Sequence, residues 1–294
     1  GVNMKKFIFI LLIIFNIFAS SVSAQWRVEF NHQPASPFRV TNLILYDDDN
    51  LRCTDFEKIS FRYVDTSGAS VNKCTFKDCF FHAGYFDAYD ENDYYGSYFY
   101  PNCTVRYLSP RSLKQTKHYE LKSICFDLEK AEYDNFDFSD FTISSYFRVR
   151  TEGAKFHNTW FKNAKIPQYL TQEQIKQTKN YQTGVFHGIS FWKCDPDEFM
   201  KIHKKLKEQQ IFQNLDISGM TFSFCELYGS FSGTNMTDTV FTESDLSTVE
   251  DLTLEQVKST WNYKAGRMSL CKWPEYIEKA LEEEEKAKAQ EEKK

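Results

Sequence analysis

The chain has 294 residues, of which 26% are charged and 41% hydrophobic, a balance that excludes wholesale disorder and collagen-like repeats. A formal net charge of −5 and a pI near 5.8 give no general electrostatic reason to bind nucleic acid. Aromatic residues make up 17% of the chain, with 28 Phe and 17 Tyr against 11 Gly and 7 Pro, so the fold asks repeatedly for Phe.

The first segment reads as an export signal. Met4, Lys5 and Lys6 precede an apolar run from Phe7 to Phe18, and small residues follow from Ala19 to Ala24. That layout predicts a secretory signal peptide over residues 1–24, cleaved before Gln25, with Gly1, Val2 and Asn3 as extra residues ahead of Met4. The apolar run falls short of the roughly 20 residues that span a bilayer, so no stable membrane insertion is expected after cleavage. Loss of Lys5 and Lys6 takes the charge from −5 to −7. The expected location is secreted or extracytoplasmic, in the periplasm or outside. Export would put Cys53, Cys74, Cys79, Cys103, Cys125, Cys194, Cys225 and Cys271 where disulfides can form. No C-x-x-C pair occurs among them, so metal or redox chemistry is not expected.

From Leu51 onward the sequence has a period of five. Leu51, Phe56, Phe61, Thr66, Val71, Phe76, Phe81 and Phe86 lie on it, and Cys74, Cys79 and Gly84 are small residues two places before a ring. The pattern resumes at Leu128, Tyr133, Phe138 and Ile143, with Ala131 in the small place. It returns at Phe156, Phe161 and Ile166, preceded by Ala154, Thr159 and Ala164. A third tract gives Ile217, Phe222, Leu227, Phe231, Met236, Phe241 and Leu246, with Gly229, Thr234, Thr239 and Ser244. Five is neither the 3.6 of a helix nor the 2 of a strand. It requires a backbone that turns a corner every five residues, with the central residue of each face and the one two before it pointing inward. Coils stacked about 4.8 Å apart would then pair backbone to backbone. Cys74, Cys79 and Cys225 fall on small inward places and are expected to be buried thiols. Disulfides are expected mainly from Cys53, Cys103, Cys125, Cys194 and Cys271.

The consecutive units Gly-Ser-Phe231-Ser-Gly, Thr-Asn-Met236-Thr-Asp, Thr-Val-Phe241-Thr-Glu and Ser-Asp-Leu246-Ser-Thr resemble pentapeptide-repeat proteins and their A-(D/N)-L-x-x pattern. The resemblance implies an all-β solenoid, a right-handed quadrilateral β-helix with four faces per coil, over most of residues 51–271. Phe replaces the commoner Leu, and the phase breaks near residues 66, 91, 147 and 229, which predicts a segmented or bulged tower in several tracts.

A longer repeat marks the divisions between tracts. Leu108–Tyr119, Leu170–Tyr181 and Leu252–Tyr263 align without gaps. Each has Ser or Thr second, an apolar residue sixth (Leu113, Ile175, Val257), Thr ninth (Thr116, Thr178, Thr260) and Tyr last. Thr171 with Gln174 and Thr253 with Gln256 form capping boxes, and Pro110 takes the first helical place after Ser109. Each copy is expected to be one short capped α-helix against an open end or a face of the coils, with its Thr and Tyr packing it back. Residues 195–212 read as an inserted amphipathic helix with Phe199, Ile202, Leu206 and Gln210 on one stripe and Lys201, Lys204, Lys205 and Lys207 opposite. Residues 275–294, rich in Glu, Lys and Ala, read as a C-terminal helix shielding the last coil. The expected organisation is signal peptide 1–24, N-terminal cap 25–50, first tract 51–107, helix and second tract 108–169, helix, inserted helix and third tract 170–251, and helix, end cap and charged helix 252–294.

No catalytic, cofactor-binding or metal-ligating set is evident, and neither an enzyme nor a cofactor is expected. The six His, at 32, 82, 118, 157, 187 and 203, are scattered, with His82 and His157 on outward, solvated places. Asp47–Asn50 and Asp87–Asp93 are acid-rich stretches without a recognised calcium-ligand spacing. Between Lys207 and Lys258 there is no Lys or Arg, while Glu208, Asp216, Glu226, Asp238, Glu243, Asp245, Glu250, Asp251 and Glu255 are acidic. That tract suggests an acidic docking face for a basic partner or for cations. The first tract is mixed in sign, with Glu57, Lys58, Arg62, Lys73, Lys77 and Asp78. Asn102-Cys-Thr104 and Asn235-Met-Thr237 are acceptor sequons in any host that glycosylates exported proteins. The sequence therefore points to an exported solenoid with a structural or protein-binding role, its partner another protein or a cell-envelope component met through the outer faces and no nucleic acid. The alternatives are an inhibitor that mimics a target of a DNA-handling enzyme through its acidic face, which the leader argues against, and a carbohydrate-active β-helix.

Overall fold

The computed structural model describes residues 38–40, 43–44, 50–52, 55–66, 70–88, 91–167, 170–192 and 211–291. The leader, most of the N-terminal cap, Cys53, Cys194, His32, His203 and the stretch 195–210 of the inserted helix lie outside them. The chain divides into two compact units, Gly1–Tyr133 and Asp134–Lys294.

In the first unit the period of five becomes short parallel strands. Asp55–Glu57 pairs with Thr75–Lys77, Ile59–Phe61 and Val64–Asp65 with Phe80–Asp87, and Tyr98–Arg106 lies on the other side of Phe80–Asp87. Phe56 faces Phe76, Phe61 faces Phe81 and Val64 faces Gly84, each pair 20 residues apart, four repeats of the five-residue period. The periodic side chains whose burial is described, Phe56, Phe61, Thr66, Phe76, Phe81 and Phe86, are buried, as are Cys74 and Cys79. The preference for Phe has a geometric reason. Phe56, Phe76 and Tyr94 stack nearly parallel with centroids 5.0 and 5.4 Å apart, and Phe61, Phe81 and Phe99 stack at 5.1 and 4.7 Å. Those separations match the spacing between neighbouring strands, so one flat ring fills one layer of the column.

Where the residue two before an inward side chain carries a thiol or hydroxyl, it rivets its coil to the one below. The Cys79 thiol donates to the carbonyl of Phe56 (3.4 Å), Ser97 Oγ to that of Phe76 (2.9 Å) and the Cys103 thiol to that of Phe81 (3.1 Å). In return the backbone N–H of Cys74 donates to Asn92 Oδ1 (2.9 Å) and that of Cys79 to Ser97 Oγ (3.3 Å). A small side chain with one hydrogen-bonding atom satisfies buried backbone that would otherwise be costly to leave unpaired. Corners are turned by residues with left-handed backbone, among them Lys58 (φ 56°), Lys73 (φ 55°) and Asp78 (φ 52°). Gly84 is required at its corner: φ is 114°, and an added Cβ would lie 1.8 Å from the Val64 carbonyl oxygen.

The first copy of the longer repeat forms two helices, α1 (Pro110–Gln115) and α2 (Lys117–Glu120). In the second unit the other copies give α3 (Gln172–Gln177) with α4 (Lys179–Thr183), and α5 (Leu254–Ser259) with α6 (Trp261–Lys264). The capping boxes at Thr171 with Gln174 and Thr253 with Gln256 both form. The expectation of a single helix lying against an end or a face is corrected. Each copy breaks at its ninth-position Thr, which is extended (ψ 161°, 152° and 155°) and which at Thr178 and Thr260 also caps the second helix. A β-branched hydroxyl residue favours that extended geometry, and its oxygen offers the N–H of the next helix a partner.

Within the second unit, Thr221–Ser223 pairs in parallel with Val185–His187 and Val240–Thr242, Lys165–Pro167 with Ser190–Trp192, and Gly229–Ser230 with Val249–Glu250. Phe222 lies between Phe186 (4.7 Å) and Phe241 (5.4 Å), and Phe231 stacks on Phe212 (4.7 Å). Thr159, Thr239 and Ser244 rivet to the carbonyls of Phe138 (2.7 Å), Ile217 (2.9 Å) and Phe222 (3.1 Å). In the C-terminal helix α7 (Glu275–Glu291) Ile277 is buried, the Leu252 N–H donates to Tyr276 Oη (3.0 Å), and Lys258 pairs with Glu284. Among the described residues no helix is long and apolar enough to cross a membrane.

Candidate functional site

The triplicated helix pair is the most specific arrangement in the chain, and the structure shows what it does. The hinge between its helices runs as one strand of the coil. In the first copy Gly96 N–H donates to the Gln115 carbonyl (2.8 Å) and Lys117 N–H to that of Ser97 (3.0 Å). Asn158 with Gln177 and Lys179 with Thr159 repeat this at 2.9 Å each, as do Asp238 with Ser259 and Trp261 with Thr239 at 2.9 and 3.1 Å. The next ladder position cannot be made by backbone already committed to the second helix, and a buried side chain makes it instead. Asn180 Oδ1 accepts the Phe161 N–H (2.8 Å) while its Nδ2 donates to the carbonyls of Phe161 (2.9 Å) and Val185 (3.1 Å). Asn262 does the same for Phe241 (2.8 Å each way).

In the first copy His118 has that role, its Nε2 accepting the Phe99 N–H (2.9 Å) and its Nδ1 facing the Ser123 carbonyl (2.8 Å). These bonds require the neutral ring with its proton on Nδ1. Burial pushes the His118 pKa down to about 4. The eleventh position of the repeat, which sequence reasoning did not single out, is thus the buried one. The twelfth-position residues Tyr119, Tyr181 and Tyr263, expected to pack the helix back, are only half-buried. The Lys two places before each hinge Thr, Lys114, Lys176 and Lys258, belongs to the first helix of its pair.

In the acid-rich stretch, Asp87, Asn92 and Asp93 are committed within the fold, while Glu91 is exposed and residues 89–90 lie outside the described residues. Arg106 Nε donates to Asp87 Oδ1 (2.7 Å), Arg111 and Gln115 both reach Asp93 Oδ1 (2.7 and 2.8 Å), and Asn92 is buried. Among the described residues no group of three or more His, Cys, Asp or Glu could hold a metal ion. His82, expected outward and solvated, is half-buried, hydrogen-bonded to Ser60 Oγ (2.7 Å) and stacked on Tyr100 at 4.4 Å. His157 is exposed, and His187 meets the ring of Phe224 at 5.5 Å.

All six described cysteines are free thiols, and Cys103 and Cys271, expected among the disulfide-formers, are buried. Cys103 occupies a rivet place and Cys271 pairs in register with the rivet Ser244, so neither stands outside the repeat as anticipated. Burial pushes the thiols of Cys79 and Cys103 up to about 12 and that of Cys225 up to about 11.

Of the acidic tract, Asp216, Glu226 and Asp238 are exposed and Asp245 is half-buried. Glu226 pairs in register with Asp245, and Asp245 with Lys272. The acidic face is less bare than its sequence suggests, because later residues fold back to it: Lys264 donates to Asp238 (2.8 Å) and Lys272 to Asp245 (2.9 Å). The Asp216 carboxylate lies below its ordinary range because Ser218 and then Asn235 hydrogen-bond to it. Burial raises Asp245, but Ser247 and Lys272 outweigh that and lower it overall. Asp216, Asn235 and Asp245 each accept the N–H two residues on, from Ser218, Thr237 and Ser247. This local turn gives the D/N place of the five-residue unit a physical reason. Glu243, Glu250, Asp251 and Glu255 are exposed, whereas Glu208 lies outside the described residues.

No protein-family model matches the chain, and no curated protein does. Among solved structures it is similar to trypsin-treated QnrB1, a plasmid-mediated fluoroquinolone resistance protein, at 15% identity over 84% of this chain and 96% of that one, with a TM-score of 0.23. At that score the architecture rests on the ladders and ring columns of this chain itself.

Proposed function

We propose that the chain is an exported, non-enzymatic pentapeptide-repeat solenoid, a right-handed quadrilateral β-helix, whose outer faces bind another protein or a cell-envelope component. The observation that carries the reading is the division of labour along each coil. Rings and rivets fill the interior, while acidic side chains of the third tract, Glu226 and Glu250 among them, stand outside. Binding of a basic partner to those outward carboxylates is expected to weaken with salt. The leader at Met4–Ala24 supports export, and with it the choice of an envelope or extracellular partner over a DNA-handling enzyme.

The test is the mature N-terminus and compartment of the protein in its host, followed by partner capture with Glu226→Lys and Glu250→Lys. A chain starting at Gln25 outside the cytoplasm, whose partner is lost on charge reversal and at high salt, is the expected result. An unprocessed cytosolic chain overturns export. A partner indifferent to both charge reversal and salt overturns the acidic docking face.

A further inference from the structure

The two sequons stand in different surroundings. The strand Tyr98–Arg106 follows Phe80–Asp87 in register at Phe99↔Phe81, then resumes at Asn102↔Ala83, so it carries an extra residue. Pro101 and Asn102, both exposed, lie at that bulge, where a residue without an N–H is tolerated. Beyond it Cys103 turns inward, 2% exposed, with its thiol on the Phe81 carbonyl. Strand alternation then sets Asn102 and Thr104 on the outer side together. The Asn102 amide has no hydrogen-bond partner among the described residues.

Asn235 also lies outward of a buried neighbour, Met236, but its amide is tied at both ends. Nδ2 donates to Asp216 Oδ1 (3.0 Å), and Oδ1 accepts from the N–H (3.1 Å) and hydroxyl (2.8 Å) of Thr237.

We infer that Asn102 is the acceptor for an N-linked glycan and that Asn235, held in its coil, is not. The donor is an oligosaccharide carried on a lipid pyrophosphate. The bond from the sugar's first carbon to the pyrophosphate oxygen breaks, the lipid pyrophosphate leaves with the electron pair, Nδ2 bonds to that carbon, and one amide proton passes to the solvent. On the folded chain the exposed amide of Asn102 is free to turn its nitrogen to the donor, whereas that of Asn235 is held by Asp216 and Thr237. A glycan there projects from the bulge and leaves every ring and rivet in place. The inference rests on export, because the transfer occurs only in a secretory compartment.

The experiment translates the full chain with microsomes, once with its own leader and once with an established cleavable leader in place of residues 1–24. Wild type, Asn102→Gln, Thr104→Ala and Asn235→Gln are compared. Protease protection reads import, and digestion with a peptide N-glycosidase reads the glycan, its site marked by the Asn-to-Asp conversion that release leaves behind. The expected result is one mobility step lost on digestion in wild type and Asn235→Gln, and no step in Asn102→Gln or Thr104→Ala. A protected wild-type chain with no step, or a step that survives Asn102→Gln, overturns the assignment. Lack of protection with the native leader alone overturns export, while the established-leader arm still reads the acceptor.

Discussion

Asn180→Ala tests whether a side chain truly replaces a strand in these coils. Asn180 is 1% exposed and joins the N–H and carbonyl of Phe161, itself 1% exposed, to the second helix of its repeat. Alanine leaves both Phe161 groups buried without partners, each costing about 1–3 kcal/mol, whereas the Val185 carbonyl lies on a residue 45% exposed and can turn to water. The expected loss is about 4 kcal/mol, a large share of the roughly 5–15 kcal/mol by which a domain is stable. The control is Tyr181→Phe in the same helix, which removes one bond, from the Tyr181 hydroxyl to the Asp216 carbonyl, at an exposed place and should cost under about 1 kcal/mol. Urea unfolding gives both values, and amide exchange at Phe161 should accelerate only in Asn180→Ala. Asn180→His, which reproduces the side chain found at His118, should recover part of the loss. Equal stability of Asn180→Ala and Tyr181→Phe, with Phe161 exchange unchanged, refutes the replacement.

His118 should make stability fall with acid. Its folded pKa of about 4 lies below the ordinary 6.5, so the neutral ring is favoured in the fold, the unfolded chain binds more protons between those values, and the contribution complete above pH 6.5 is lost as pH falls through 4. The span is about 3 kcal/mol, read as the difference between wild type and His118→Asn in unfolding at pH 7 and pH 4. Phe222→Ala should cost about 3–5 kcal/mol by opening the column between Phe186 and Phe241, measured by thermal unfolding, with Phe222→Leu milder. Alkylation of the native protein should modify Cys125, half-buried, before Cys79, Cys103 and Cys225, whose raised pKa values leave almost no thiolate at neutral pH; peptide mass mapping gives the order. Gly84→Ala should prevent the first unit from folding, seen as loss of its protected amides, because the added carbon meets the Val64 backbone.

The parts of this fold that were legible are those whose cause lies within five residues. A ring at the centre of each face and a small residue two before it are dictated by the coil itself, so Phe76, Phe222 and Thr239 could be assigned inward from spacing alone, and the capping boxes at Thr171 and Thr253 from chemistry three residues long. The parts missed have causes one coil away. Asn92 and Tyr94 continue the pattern after a slip in phase, hidden in a stretch that reads as an acidic loop, and only the partner Cys74, 18 residues back, shows that Asn92 is a rivet. Asn180 is an unremarkable helical residue until Phe161 is beside it, 19 residues earlier. The acidic run looked bare because Lys264 and Lys272 lie 26 and 27 residues beyond the carboxylates they meet. In a stacked coil, a residue's neighbours in space are those about one turn away in sequence. A local pattern therefore identifies what is buried, while the identity of each polar partner depends on exact coil length. The helix pairs change that length from 20 residues at Phe56↔Phe76 to 27 at Ser244↔Cys271 and so decide which outer charges meet.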